Sequence, residues 1–440
     1  MKKLLMFLFA FSCIISLSGC FGKANKQGGN PSKPTQPSLT EPTVSTDTQD
    51  STEPLIVQLP EPDVPKIWAA NCEDRINFRS TPGGELIGTI PKNATMELLE
   101  WKETYAKVNY NGKIGYVGAG YIMPADHQYF SECLDVVAIT NTYTYAQMTE
   151  DMAALKEKHP GIVTVSSIGT SELGREIPVI CVGNLDAKKH ILLQGAMHAR
   201  EHITAWLLMA MTEYWLNYNI LEHGDICYHI IPMTNPDGVN LVQTQTLSPD
   251  QYNIYLNDKA NGYTDISGSD YISQWKANGL GVDLNRNFAS GWDALSKQSN
   301  NYKTPSYMFY RGAEPFSAAE AAALRDYTLE FKDQLIATVS YHSCGSVIYY
   351  EYGDKEPVNS NAKDLANAVK LVTGYTPADS TSVSGAGYKD WVMDALEIPS
   401  LTIEVGSDGS PVELREIYNI FVRNIPVLPE IAEWSQCKTK

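Results

Sequence analysis

From residue 144 onward the sequence alternates between segments with helical spacing and short apolar runs, and this alternation limits the fold more than any other feature. Segment 145–159 places Met148, Met152 and Leu155 three or four residues apart, which marks one buried face of a helix. Residues 162–168 and 177–182 read as strands, followed by 190–197 (strand), 205–218 (helix), 225–233 (strand) and 318–331 (helix). Residues 335–340 (strand), 362–372 (helix) and 400–405 (strand) complete the series. Alternation over roughly 290 residues predicts one α/β domain, spanning 144–437, in which helices flank a mixed, mostly parallel and largely buried sheet. No internal repeat accompanies it.

The region before this domain has a different grammar. In 21–65 Pro, Ser, Thr, Gln, Asn and Gly dominate, and such a segment cannot bury enough surface to fold, so it reads as an extended tether. Residues 66–126 carry short alternating runs, such as 96–99 and 106–110, separated by turns at Pro82-Gly83-Gly84 and Asn111-Gly112. That pattern predicts a small all-β barrel. Ile76-Asn77-Phe78-Arg79-Ser80, Ile87-Gly88-Thr89-Ile90 and Gly112-Lys113-Ile114-Gly115-Tyr116-Val117 resemble a bacterial Src-homology-3-like domain. The resemblance implies binding to cell wall, with a structural spacer as the alternative.

The first residues describe export. Lys2 and Lys3 precede an apolar run over 4–17, and Leu17-Ser18-Gly19-Cys20 follows, as in a signal peptide ending at 20. The run is short for a membrane span, which needs about 20 apolar residues. Cys20 after small residues looks like a bacterial lipobox, which implies lipidation of Cys20 and an extracytoplasmic protein anchored to the membrane. Six further cysteines (72, 133, 181, 227, 344 and 437) show no spacing that identifies a disulfide and no CxxC metal pattern. A net charge of −17 argues against nucleic acid as a partner.

Two histidines and a glutamate carry the chemistry. His198 and Glu201, three apart, follow an apolar strand and precede an apolar helix, at the strand edge where open α/β sheets place their sites. His342 follows another apolar strand. Catalytic zinc takes three protein ligands and keeps one open position, and His198, Glu201 and His342 supply that set for one ion. His202 is the decoy beside the first pair. Asp283 is the candidate to orient His198, since a metal-bound imidazole usually gives its other N–H to a carboxylate.

His198 to Glu201, Asn235-Pro236-Asp237-Gly238, Asp283 to Phe288, Ser340-Tyr341-His342-Ser343 and Thr402-Ile403-Glu404 occur in the order found in the zinc carboxypeptidase family, which the chain resembles over about 145–435. The resemblance implies that Glu404 is the general base, that Asn285 and Arg286 grip a substrate carboxylate, and that Arg200 stands at a secondary carboxylate position. Two places depart from the family. Lys276, in Trp275-Lys276-Ala277-Asn278, stands where that family has an oxyanion-stabilising Arg, so it can supply charge but not a bidentate fork. Thr381 stands where that family has a mobile Tyr, which leaves either Tyr388 as the candidate for substrate contact or the role unfilled.

Lys389 falls where that family reads the side chain of the released residue, which implies an acidic group there. These stretches resemble the bacterial branch acting on peptidoglycan stem peptides. The function expected is therefore a zinc metallopeptidase hydrolysing an amide next to a free carboxylate in such peptides. The alternatives are a general extracellular carboxypeptidase and a catalytically dead wall-binding lipoprotein, and the intact set of His198, Glu201, His342 and Glu404 argues against the last.

Overall fold

A computed structural model describes residues 67–437 apart from 71, 73, 93, 103, 126–132, 141, 222–224, 296–302, 379–384, 408 and 413–415. The expectations for the export signal, Cys20 and the tether lie outside these residues. Strands β1 (Ile67–Ala70), β2 (Arg75–Arg79), β3 (Leu86–Pro91), β4 (Thr95–Trp101), β5 (Tyr105–Tyr110), β6 (Lys113–Gly118) and β7 (Ile122–Pro124) make one antiparallel sheet, in the order β3-β2-β6-β5-β4-β1-β7. Asn111 and Gly112 both take positive φ (51° and 81°) and join β5 to β6 in a two-residue hairpin. Trp68 of β1 is fully buried and meets Tyr418 of the larger unit edge-on, with ring centroids 4.9 Å apart.

The larger unit is built on an eight-stranded sheet. Its strands are β8 (Val163–Thr170), β9 (Glu176–Val182), β10 (Lys189–Gln194), β11 (Ile226–Ile231), β12 (Leu335–Ser343), β13 (Val347–Tyr349), β14 (Thr376–Ala378) and β15 (Ser400–Val405). The order is β14-β13-β15-β12-β10-β11-β9-β8. The middle four, β15, β12, β10 and β11, are parallel, while β9 and β8 on one side and β13 on the other join antiparallel. Buried on both faces, the parallel strands are nearly continuous in apolar residues, which is what parallel sheets covered by helices require.

Helix α1 (Tyr145–Lys158) starts at a capping box, where the Thr144 hydroxyl accepts from Gln147 N and the Gln147 side chain accepts from Thr144 N. Helix α2 (Ile203–Asn217) is buried on every side from Ile203 to Leu216, so it is a core helix and not an amphipathic cover. Its single carboxylate is satisfied internally. Glu213 accepts the N–H groups of Asp135, Val136 and Val137 at 2.8, 2.9 and 2.8 Å, pinning the chain that precedes α1. Helices α3 (Pro236–Thr244) and α4 (Pro249–Ala260) lie outside the elements expected from apolar spacing, although Ser248 and Gln251 form a second capping box. Helices α5 (Ala319–Glu330), α6 (Val358–Thr373), α7 (Tyr388–Ala395), α8 (Ile417–Asn424) and α9 (Val427–Cys437) complete the helical layers. Among the described residues no helix is long and apolar enough to cross a membrane.

Candidate active site

The expected strand over 190–197 stops at Gln194, and that early stop creates the site. Ala196 turns to φ +46°, held by its N–H donating to the Thr204 hydroxyl at 2.7 Å, and the chain swings over the carboxyl edge of the sheet. His198 follows, then a short 3₁₀ turn, Ala199–Glu201, that folds Glu201 back toward it. The turn is clamped from outside, since Ala199 N and Arg200 N donate to the carbonyls of Lys276 and Trp275 at 3.1 and 3.0 Å. Fully buried Trp275 anchors that loop. Strand β12 runs to Ser343, three residues beyond the expected end, so His342 is a strand residue in direct register with Glu404 of β15. In-register neighbours on parallel strands project to the same face, which sets His342 and Glu404 side by side.

Three donor atoms converge. His198 Nδ1 lies 3.0 Å from Glu201 Oε1, His342 Nδ1 lies 2.8 Å from Glu201 Oε2, and the two Nδ1 atoms are 3.2 Å apart. His198 Nε2 faces Asp283 Oδ1 at 3.1 Å and carries the proton of that hydrogen bond, which in the neutral imidazole leaves Nδ1 as a lone-pair atom. Its lone pair therefore confronts a carboxylate and a second imidazole nitrogen, an arrangement that a cation resolves. Two imidazoles and one carboxylate in tight convergence are the donor set of catalytic zinc. All three side chains are buried.

Charge is arranged around this centre. Burial alone would raise the pKa of Glu201, but with no metal bound a protonated His198, then Lys276, and hydrogen bonds from both imidazoles hold it well below the usual range. Asp283 behaves alike: burial opposes its ionisation, and His198, Arg286 and Lys276 overcome that. Asp283 also accepts Asn285 N at Oδ1 (3.1 Å) and Phe309 N at Oδ2 (3.0 Å), so it caps the 3₁₀ turn Leu284–Arg286. Glu404 is pushed up to about 7, first by burial and then by the negative charge of Glu201, against the pull of His342, Lys276 and Arg200. Lys276 Nζ stands 3.7 Å from Glu201 Oε1, beside the three ligand candidates.

Arg286 donates to the Asn285 carbonyl at 2.7 Å through Nη1, and its buried Nε has no partner among the described residues. Arg200 is steadied by the Gln274 side chain, and its Nε is likewise unpartnered. His202 is buried near the site with its pKa lowered to about 4 by burial, but it does not join the three converging donors.

Tyr388 is a correction. It is fully buried, edge-on to Phe288 and close to Trp391, with its hydroxyl 2.9 Å from Thr328 Oγ1, so it is a core residue and not a substrate contact. Thr381 lies outside the described residues. Lys389 differs from expectation as well: it is not a free cation, because Nζ donates to Asp390 Oδ1 and to the Glu351 carbonyl, both at 2.7 Å. Asp390 is the residue that sequence reasoning missed. Adjacent helical positions do not ordinarily face each other, so nothing in the Lys-Asp pair signalled the contact.

A second group, His190, Cys227 and His229, is buried toward the other end of β10 and β11. Its nitrogens are already spent: His190 Nδ1 on His229 Nε2 (2.7 Å), His190 Nε2 on the Ala187 carbonyl (2.9 Å) and His229 Nδ1 on the Tyr327 hydroxyl (2.7 Å).

Known proteins match both units. The family model described as zinc carboxypeptidase matches residues 148–431, and the one described as bacterial SH3 domain matches 74–123. The chain is 32% identical over 291 residues to gamma-D-glutamyl-L-diamino acid endopeptidase 1 of Lysinibacillus sphaericus, covering 63% of this chain and 69% of that protein. It is 26% identical over 288 residues to carboxypeptidase B of Astacus astacus, covering 62% and 88%. Among solved structures, carboxypeptidase A of Helicoverpa armigera superposes with a TM-score of 0.52 at 19% identity, covering 74% of this chain and 88% of that one. Bovine thrombin-activatable fibrinolysis inhibitor does so at 0.51 and 20%, covering 68% and 98%. At such identities the superpositions establish the fold.

Proposed function

Because the chain belongs to the zinc carboxypeptidase family, we propose that it is an exported peptidase, lipid-anchored through Cys20, that hydrolyses an amide next to a free carboxylate in peptidoglycan stem peptides. The observation that carries the chemistry is the convergence of His198, Glu201 and His342 with Glu404 in register beside them. The stem-peptide reading is supported by the relative whose name specifies a γ-D-glutamyl bond to a diamino acid, a linkage of the kind found in such peptides.

His198 and His342 through Nδ1, with the Glu201 carboxylate, would hold the zinc. Zinc in that place would supply Lewis acidity, acidifying water and polarising a carbonyl. Glu404, with its affinity for a proton raised by burial and by Glu201, takes a proton from the attacking water and returns it to the departing amine nitrogen. Asn285 and the unspent donors of Arg286 fix the substrate's free carboxylate in a fork suited to it. Lys276 places positive charge where negative charge develops on the carbonyl oxygen. Asp283 keeps His198 in one tautomer. The bacterial SH3 unit holds the enzyme on the wall, and the segment over 21–65 spans from the membrane to it.

The test is digestion of muropeptides and of a blocked dipeptide by the soluble form that starts after Cys20, with zinc, with a chelator and as Glu404→Gln, products being read by mass. Zinc-dependent cleavage of muropeptides that the variant lacks is the expected result. Cleavage of the dipeptide alone would move the function to general peptide trimming, and no cleavage by a zinc-loaded protein would leave a dead scaffold.

A further inference from the structure

We infer that Asn235 is a positioning residue for the reaction, its side-chain amide fixing the loop that carries Lys276 against the turn that carries His198 and Glu201. This rests on the role given to Lys276 above and names the group that holds Lys276 in place.

The stretch Asn235-Pro236-Asp237-Gly238 supplies none of the three converging donors, yet it stands between them and the lysine loop. Asn235 is fully buried and its side chain is used at every polar position. Oδ1 accepts Gly238 N at 2.9 Å, while Nδ2 donates to the Met197 carbonyl at 3.1 Å and to the Ala277 carbonyl at 3.0 Å. Met197 immediately precedes His198, and Ala277 immediately follows Lys276. One amide therefore bridges the two segments whose separation sets how far the lysine charge lies from the metal ligands. Its orientation is dictated by its partners, since two carbonyls require the NH₂ and an N–H requires the oxygen. Aspartate would offer no donor and serine only one, and glutamine would carry the same group one carbon farther out.

Both ends of the bridge are stiff. Thr234 N and Asn235 N donate to the carbonyls of Gly195 and Ala196 at 3.0 and 3.2 Å, which ties the start of α3 to the chain entering the metal turn. Asp237, also buried, accepts Leu173 N at 2.8 Å and pairs with Arg175, which holds α3 from another direction. A β-carbon at Gly238 would lie 2.5 Å from the Ala277 carbonyl oxygen, so α3 can approach the loop this closely only with glycine there. On the loop itself, Lys276 N and Ala277 N both donate to the Tyr307 carbonyl, at 2.8 and 3.0 Å. The backbone of Lys276 is thus gripped from two sides, by Tyr307 and by Asn235. Lysine is a point charge and not a fork, so its pull on a developing oxyanion depends on distance, and that distance begins at its backbone.

The experiment measures kcat and KM of the zinc-loaded soluble chain on a muropeptide, or on the blocked dipeptide if that alone is cleaved. It compares the wild type, Asn235→Ala, Lys276→Ala and the double variant, each with its zinc content verified by metal analysis. At full zinc occupancy Asn235→Ala is expected to lower kcat by roughly tenfold or more, since misplacing a reacting group by about 1 Å can cost about a hundredfold. KM stays near the wild-type value, because Asn285 and Arg286 are untouched. On top of Lys276→Ala, the same replacement is expected to lower kcat by less than about threefold, because the charge it positions is gone. A merely structural role would give the same loss in both backgrounds. Gly238→Ala pushes on the Ala277 carbonyl directly and is expected to show the same dependence on Lys276, which keeps the test decisive if Asn235→Ala fails to fold. Equal losses in the two backgrounds, or an Asn235→Ala kcat within about threefold of wild type, overturn the positioning role while Lys276 keeps its own. A Lys276→Ala kcat within about threefold of wild type overturns both.

Discussion

Replacing Asp283 with Asn separates a residue that tunes zinc from one that merely braces a turn. The carboxylate serves three donors with two oxygens: His198 Nε2 and Asn285 N at Oδ1, and Phe309 N at Oδ2. An amide has one oxygen. If that oxygen keeps His198 and Asn285, the new NH₂ points at the Phe309 N–H; if it turns to Phe309, the NH₂ points at His198. Either orientation leaves a buried donor facing a donor, which costs about 1–3 kcal/mol of folding stability. The metal responds separately, because His198 loses the anion that fixes its tautomer and raises its basicity. Loss of such a partner typically lowers zinc affinity by about 10–100-fold, or roughly 1.4–2.7 kcal/mol. Zinc dissociation constants come from competition with a chromophoric chelator, and the brace is measured as the melting temperature of the metal-free protein. A zinc affinity within twofold of wild type, alongside a lowered melting temperature, would refute the orienting role and leave Asp283 as a cap.

Two further outcomes follow from charges placed in the core. Lys276→Ala is expected to lower kcat by about 10²–10³-fold with little change in KM, as for loss of one group stabilising the developing oxyanion; Lys276→Arg keeps most of the rate, and a kcat within threefold of wild type for the alanine variant would remove Lys276 from the mechanism. Glu320, fully buried beneath the Asn278 side chain, has its pKa raised to about 7 from 4.5, chiefly by burial. The folded state thus resists an ionisation that the unfolded chain accepts, so stability falls as pH rises from about 4.5 to about 7, by up to about 3 kcal/mol. In Glu320→Gln that slope disappears, and the melting temperature relative to wild type is expected to climb between pH 5 and pH 8; a constant difference would show that Glu320 ionises freely.

Much of this arrangement is legible in the sequence for a physical reason. Strands buried on both faces must be apolar along their length, so β10, β11, β12 and β15 stand out as runs, and the ends of those runs bring His198, His342 and Glu404 to one edge. What resisted reading depends on tertiary neighbours. The break at Ala196 is held by a hydroxyl eight residues on. Strands β13 and β14 have three residues each, too few to show a period. Tyr388 sits in a motif that marks the site, but its ring lies against Phe288 and Trp391, which no spacing rule foretells.

Lys389 shows how far a motif carries chemical meaning. Read alone, a lysine at a specificity position predicts an acidic substrate group, because a buried cation demands an anion. The fold answers that demand from within. Asp390 is the third residue of α7, where an anion is favoured by the helix amino terminus, and it lies within 2.7 Å of Lys389 Nζ. The Glu351 carbonyl takes a second donor. A cation compensated in this way no longer argues for a simple acid. The pair carries no net charge, so the sign of the lysine does not by itself name the substrate group.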